Sequence, residues 1–227
     1  MQFEKPNLSI DVVLFTMIER RLYVALKVRE ADEPASEKGK WEVTGGFVHT
    51  NADRDDLATA KRTLRTKLDF EPNYMEQSFT EANDHRDPRG WSASIVYLAL
   101  HEPDSLRQLV AARGMQLVDA EDDGKHLPDN MAFDHRLLVL KAIEKLRAKA
   151  RYTTIAAHLL PTQFLLSDLH EVFQALRQKP VNQANFRKKI IDEKVLVEMD
   201  DRLFSRGRPG TGYYLAQPIA YFDRVIA

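Results

Sequence analysis

The stretch Trp41-Glu-Val-Thr-Gly-Gly-Phe-Val48, followed by Leu57 to Phe70, constrains this chain more than any other segment. Its start reads as a strand at Glu42 to Val43, Gly45 and Gly46 as a glycine turn, and Asp55 to Leu68 as a helix whose N-terminal aspartates suit the helix dipole. From Leu57 to Leu68 that helix carries Lys61, Arg62, Arg65 and Lys67 and no acid. A helix charged in this way repels divalent cations.

The same stretch resembles the Nudix box, G-x5-E-x7-R-E-U-x-E-E-x-G-U with U aliphatic, once about two extra residues are allowed between the glycines and the helix. Aligned on Gly46, Arg62, Leu64 and Phe70, the three helical glutamates fall on Thr63, Thr66 and Lys67, the closing glycine on Asp69 and the upstream glutamate on Ala52. Glutamates at i, i+3 and i+4 share a helical face and together hold hard divalent cations that orient an attacking water. The resemblance therefore implies a Nudix fold that has kept a pocket and lost a reaction, with no catalytic residue and no metal.

With 227 residues the chain exceeds the usual single-domain size, and the expected division is 1–150 and 151–227. It has no cysteine, which excludes disulfides and thiolate metal sites. No apolar run reaches about 18 residues and the polar N-terminus lacks a signal-peptide pattern, so a cytoplasmic protein without a membrane partner is expected. The net charge of −1 argues against a nucleic-acid partner, yet residues 151–227 hold 11 Lys/Arg against 8 Asp/Glu. Those cations cluster at Arg187-Lys188-Lys189 and at Arg206 and Arg208.

Along the chain, Ser9 to Phe15 and Leu22 to Val28 read as a β-hairpin closed by Ile18 to Arg21, and Arg29 to Lys40 as a loop. An extended run near Met75 to Thr80, a polar loop Asn83 to Gly90, a strand Ser92 to Leu100 and a helix from about Asp134 to Ala150 follow. In the tail, Ser167 caps a helix to about Arg177 with Leu169, Val172, Phe173 and Leu176 on one face. Gln178-Lys-Pro180 supplies a turn, and Asn182 caps a second helix to about Glu193 that turns Phe186 and Ile190 to the core. Asn182, Asn185, Lys188 and Lys189 fall on other faces, as a helix-turn-helix needs for a DNA groove. Strand-like Val195 to Met199 and Gly212 to Leu215 flank Arg206-Gly-Arg-Pro-Gly210, a loop whose arginines suit phosphate or the minor groove. A solvated hairpin beside an amphipathic helix pair is the plainer alternative.

Asp84-His-Arg-Asp-Pro-Arg-Gly90 and Met131-Ala-Phe-Asp-His-Arg136 resemble elements of Nudix proteins of the ADP-ribose group, although composition alone reads them as turn chemistry and an Asp N-cap. Phe164-Leu-Leu-Ser-Asp-Leu169, Asn185-Phe-Arg-Lys-Lys-Ile190 and Gly207-Arg-Pro209 are similar to markers of one family, the Nudix-related transcriptional regulators of NAD metabolism (NrtR). The resemblance covers nearly the whole chain. It implies an α/β fold, an α+β Nudix-like α/β/α sandwich, with a C-terminal winged helix-turn-helix domain. It also implies a dimeric repressor of NAD biosynthesis or salvage genes, released from its operator when ADP-ribose or a related nucleotide binds. No cofactor other than that effector is expected, and the DNA partner is an inverted repeat.

On this resemblance, Gly45, Gly46, Arg62, Arg86, Arg89, Phe133 and His135 are expected to bind the ligand, the arginines because their fork suits a pyrophosphate. Arg62 has a second reading as a salt-bridge brace for the loop. Asn182, Asn185, Arg187, Lys188, Lys189, Arg206 and Arg208 are expected at DNA. Two rivals stand beside this reading: a hydrolase using Asp53, Asp55 and Asp56 or Glu81 and Asp84, and a module whose winged helix binds protein.

Overall fold

The computed structural model describes residues 5–205 and 208–222. Its centre is β1 (Asn7–Ile18), which pairs in parallel with β6 (Ser92–Leu100) along one edge. The other edge of β1 is shared: its first half pairs antiparallel with β4 (Thr44–Phe47) and its second half with β2 (Arg21–Val28). The sheet is completed by β3 (Trp41–Glu42) and β7 (Gln116–Asp119) on β2, and by β5 (Tyr74–Asn83) on β6. Glu19 and Arg20, both at positive φ, close the expected hairpin in a two-residue turn.

Strand alternation assigns the two faces. Ile10, Val12 and Leu14 point to α1 (Asp56–Leu68) and α2 (Pro103–Ala112), meeting Leu64, Leu68 and Leu106. Val13, Phe15 and Met17 point the other way, to Leu138, Val139 and Leu146 of α3 (His135–Ala150). These layers form the expected α/β/α sandwich. Neither α2 nor β7 was legible in the sequence, because α2 buries only Leu106 and Val110 and β7 has four residues. Glu102, which accepts from the Ser105 and Asp104 amides ahead of Pro103, was the available start signal.

The expected turn at Gly45 and Gly46 is corrected: both lie inside β4, in register with Asp11 and Ile10. A Cβ at Gly45 would stand 1.9 Å from Asp11 Oδ1, so the glycine exists to admit a buried carboxylate rather than to reverse the chain. At the end of α1, Asp69 is left-handed (φ 52°), the conformation that makes glycine the favoured residue there.

The C-terminal unit comprises α4 (Leu166–Arg177), α5 (Gln183–Asp192) and a sheet of β8 (Phe164–Leu165), β10 (Arg208–Leu215) and β9 (Leu196–Ser205), in that order. The expected Ser167 cap is corrected: α4 is entered from Leu165 without a side-chain cap, and Ser167 lies inside the helix. Asn182 does cap α5, accepting from the Asn185 amide at 3.0 Å. The wing is longer than expected, since Arg208 to Gly210 belong to β10. Arg206 lies outside the described residues.

One hydrophobic cluster runs from the sheet through Leu166, Leu169, Phe173, Phe186 and Ile190 of the helix pair. The chain after β10 returns to the sandwich, where the Phe222 amide donates to Tyr152 O at 2.8 Å and the Ala220 amide to Thr154 Oγ1 at 2.9 Å. At the same junction His158 stacks on Tyr74 with ring centroids 4.4 Å apart, and its Nε2 donates to Pro218 O at 2.5 Å.

Burial lowers the pKa of His158, and also that of His101, whose Nδ1 accepts from the Asn73 amide. The unfolded chain then binds more protons than the native one as pH falls through the ordinary histidine value, so stability is full above it and is lost below. The midpoint of thermal unfolding is expected to fall from about pH 7 to about pH 5, and less steeply in a His158→Gln, His101→Gln variant.

Candidate functional site

A cleft opens where β1 and β4 meet the loop after β5 and the start of α3. Its lining includes Asp11, Arg29, Glu42, Gly45, Gly46, Phe47, Lys67, Arg86, Asp87, Arg89, Phe133 and His135. Six of the seven expected ligand residues thus converge with six others. Arg62 is the exception.

The floor is a buried charge network. Arg86 places two nitrogens on Asp134, Nε on Oδ2 at 3.0 Å and Nη2 on Oδ1 at 2.9 Å, and it lies 3.6 Å from Asp11 Oδ2. Ser94 Oγ donates to the same Asp11 oxygen at 2.6 Å, and His135 Nε2 is 3.7 Å from Oδ1. His135 Nδ1 accepts from the Val43 amide at 3.3 Å, which leaves the ring proton on Nε2, facing Asp11. The Arg86 fork is consumed by protein carboxylates, so this arginine shapes the cleft before it touches any ligand. Asp134 occupies the N-cap position of α3 without a capping bond, because its carboxylate is turned to Arg86.

The rim is more open. Arg89 pairs with Asp87 at 2.6 Å and lies 4.8 Å from the Phe47 ring centre and 5.5 Å from that of Phe133. Arg29 approaches Phe133 at 5.1 Å and is held by Glu42 at 2.8 Å. Burial works to raise the Asp87 carboxyl, but the Arg89 hydrogen bonds outweigh it and leave the group below its ordinary pKa. Phe133 itself has φ 51°, a strained backbone fixed by its amide donating to Glu37 Oε2 at 2.7 Å. The result is an aromatic face with guanidinium groups on it, suited to a flat, anionic ligand.

The three positions matched to the box glutamates diverge. Thr63 is buried under Gly46, Thr66 Oγ1 donates back to Arg62 O at 2.8 Å, and only Lys67 reaches the cleft, donating to Gly45 O. Arg62 does not line the cleft. Its Nε and Nη2 each bind Asp53 at 2.7 Å and Nη2 also donates to Phe47 O at 2.8 Å, so it braces the β4–α1 loop. That arginine hydrogen-bonding drives the Asp53 carboxyl far below its ordinary pKa.

The acids of the hydrolase rival are committed elsewhere. Asp53 binds Arg62, Asp55 caps α1, Asp56 accepts from Tyr97 Oη at 3.0 Å, Glu81 pairs with Lys141 and Asp84 with His85. Within the cleft Asp11, Glu42 and Asp87 each face a cation. Among the described residues no cluster of three metal-ligating side chains occurs. The donors present therefore do not fit the divalent cation that the Nudix fold implies.

On α5, Phe186 and Ile190 are buried, Ala184 and Lys188 lie opposite them, and Asn185 and Arg187 flank that outer face. Asn182 spends its side chain on the cap, and Lys189 sits nearer the buried line and pairs with Glu193. Gln183, absent from the sequence reading, is exposed at the N-terminus of α5 and lines a groove with Arg187, Pro209 and Gly210 of the wing. Asp11, Arg29 and Lys67 were also missed. A lone acid within the apolar run Ile10 to Phe15 was the signal for Asp11; nothing local distinguishes the other two.

Residues 156–215 match the family described as the NrtR DNA-binding winged helix domain. The ADPR responsive transcriptional repressor NtrR of Acinetobacter baylyi is 29% identical, over 94% of this chain and 84% of that one. The crystal structure of Shewanella oneidensis NrtR complexed with a 27mer DNA is 31% identical, covers 97% of this chain and 99% of that one, and superposes with a TM-score of 0.85. The NUDIX domain of Shewanella oneidensis NrtR complexed with ADP ribose is 31% identical over 63% of this chain and 90% of that one, with a TM-score of 0.51.

Proposed function

Because the chain belongs to the NrtR family, we propose that it is a transcriptional repressor of NAD biosynthesis or salvage genes that binds double-stranded DNA and releases it on binding ADP-ribose. The observation that carries the reading is the union, within one packed core, of an arginine-lined cleft and a winged helix with exposed cations on α5. Ligand in the cleft biases how the two units pack, and the DNA-competent arrangement loses population.

In this reading residues 1–150 form the effector-binding unit and 151–227 the DNA-binding unit, acting as a homodimer on an inverted repeat in the cytoplasm. Gly45, Gly46, Arg89, Phe133 and His135 form the ligand site, Arg86 holds its floor and Arg62 its loop. Gln183, Asn185, Arg187 and Lys188 face DNA, with Arg208 on the wing, and no cofactor beyond the effector is required. Electrophoretic mobility shift of duplexes selected from a random pool tests this: a palindromic duplex should be retarded, and ADP-ribose should release it. Selection of no duplex, or a complex indifferent to ADP-ribose, would refute the reading.

Two further results are expected. With Thr63, Thr66 and Lys67 in place of a carboxylate cluster, the purified protein with Mg²⁺ or Mn²⁺ should release no AMP from ADP-ribose above background; chelator-sensitive turnover would restore the hydrolase rival. Arg89→Ala should weaken ADP-ribose binding about tenfold by calorimetry, and it should also lower stability, since the buried Asp87 carboxylate loses its guanidinium partner.

A further inference from the structure

The cleft of a fold that ordinarily works with bound metal contains an ammonium at a position matched to a metal-ligating glutamate. Lys67 stands in the last turn of α1, and its head enters the cleft lining beside Gly45 and Arg29. The other cations in that lining are matched by acids: Arg29 by Glu42, Arg86 by Asp134 and Arg89 by Asp87. Lys67 makes no ion pair among the described residues; its partner is a backbone carbonyl, Gly45 O. An ammonium has three N–H donors, so two remain for a ligand.

We propose that Lys67 takes over the electrostatic part played by a divalent cation, holding the diphosphate of ADP-ribose directly and making its recognition independent of metal. This rests on the sensor reading and assigns the group that makes it work. Lysine binds phosphate as a compact point charge, and unlike a metal it offers no coordination site on which water becomes a nucleophile. One substitution on α1 therefore both removes a metal ligand and retains attraction for the anion. Desolvation and then nearby Lys27 press the Lys67 pKa below its ordinary value against the opposing pull of Glu42 and Asp11, and an anionic ligand relieves that pressure.

Calorimetry on the full chain decides it, with ADP-ribose and adenosine as probes, in EDTA and in MgCl₂, for wild type and Lys67→Met. Methionine keeps the stem and removes the charge, and circular dichroism checks that the variant is folded. Wild-type affinity for ADP-ribose should agree within about twofold between EDTA and MgCl₂, and Lys67→Met should weaken ADP-ribose at least about tenfold but adenosine by less than about twofold. Loss of wild-type binding in EDTA, equal affinities of wild type and variant, or an equal loss for adenosine would overturn the assignment. If wild type binds ADP-ribose in neither buffer, the sensor reading falls first and this inference with it.

Discussion

Asp134→Ala is expected to lower the free energy of unfolding by about 3–5 kcal/mol, the usual effect of leaving a buried charge without its partner. The stranded group is Arg86, whose side chain is only 5% exposed and whose fork sits on both Asp134 oxygens. Asp11 at 3.6 Å compensates little, since Ser94 and His135 already share that carboxylate. No helix cap is lost, because Asp134 makes no capping bond, so the effect reports the ion pair. Urea unfolding followed by Trp41 and Trp91 fluorescence measures it. A double variant, Arg86→Met with Asp134→Leu, should recover most of the loss, because an apolar pair of similar volume often replaces a buried ion pair at no cost. A change below about 1 kcal/mol in Asp134→Ala would mean the pair behaves as a surface salt bridge.

The second large effect is expected at DNA. Replacing both Arg187 and Lys188 with glutamate should reduce affinity for the selected duplex at least about a hundredfold near physiological salt, because two phosphate-facing cations become two repelling anions. Both side chains are exposed on α5 and neither makes an ion pair among the described residues, so folding and ADP-ribose affinity should stay close to wild type. Lys188→Ala alone should reduce the slope of log affinity against log salt by about 1. Lys189→Ala should do much less, as Lys189 is already paired with Glu193. A Lys189 effect equal to that of Lys188, or a double variant that binds as wild type does, would place the DNA on another face.

The sequence by itself determined the elements whose period is long and whose ends are marked. The β-rich run Ser9 to Phe15 announced a strand, the α1 and α3 patterns announced helices, and Phe186 and Ile190, four apart, announced the inner side of α5. It also determined what the box helix lacks, since no fold can draw a carboxylate from Thr63, Thr66 or Lys67.

Only the tertiary structure decided what each arginine does. Arg62, Arg86 and Arg89 look alike in sequence, yet one braces a loop, one is spent on a buried network and one lies on aromatic rings at the rim. The glycine pair likewise read as a turn from local conformational preference, while its true reason is the Asp11 side chain across the ladder, 34 residues upstream of Gly45. Local propensity is carried by neighbours in the chain and can be read there. The partner of a charge is set by contacts between distant segments, and those exist only once the sheet has assembled.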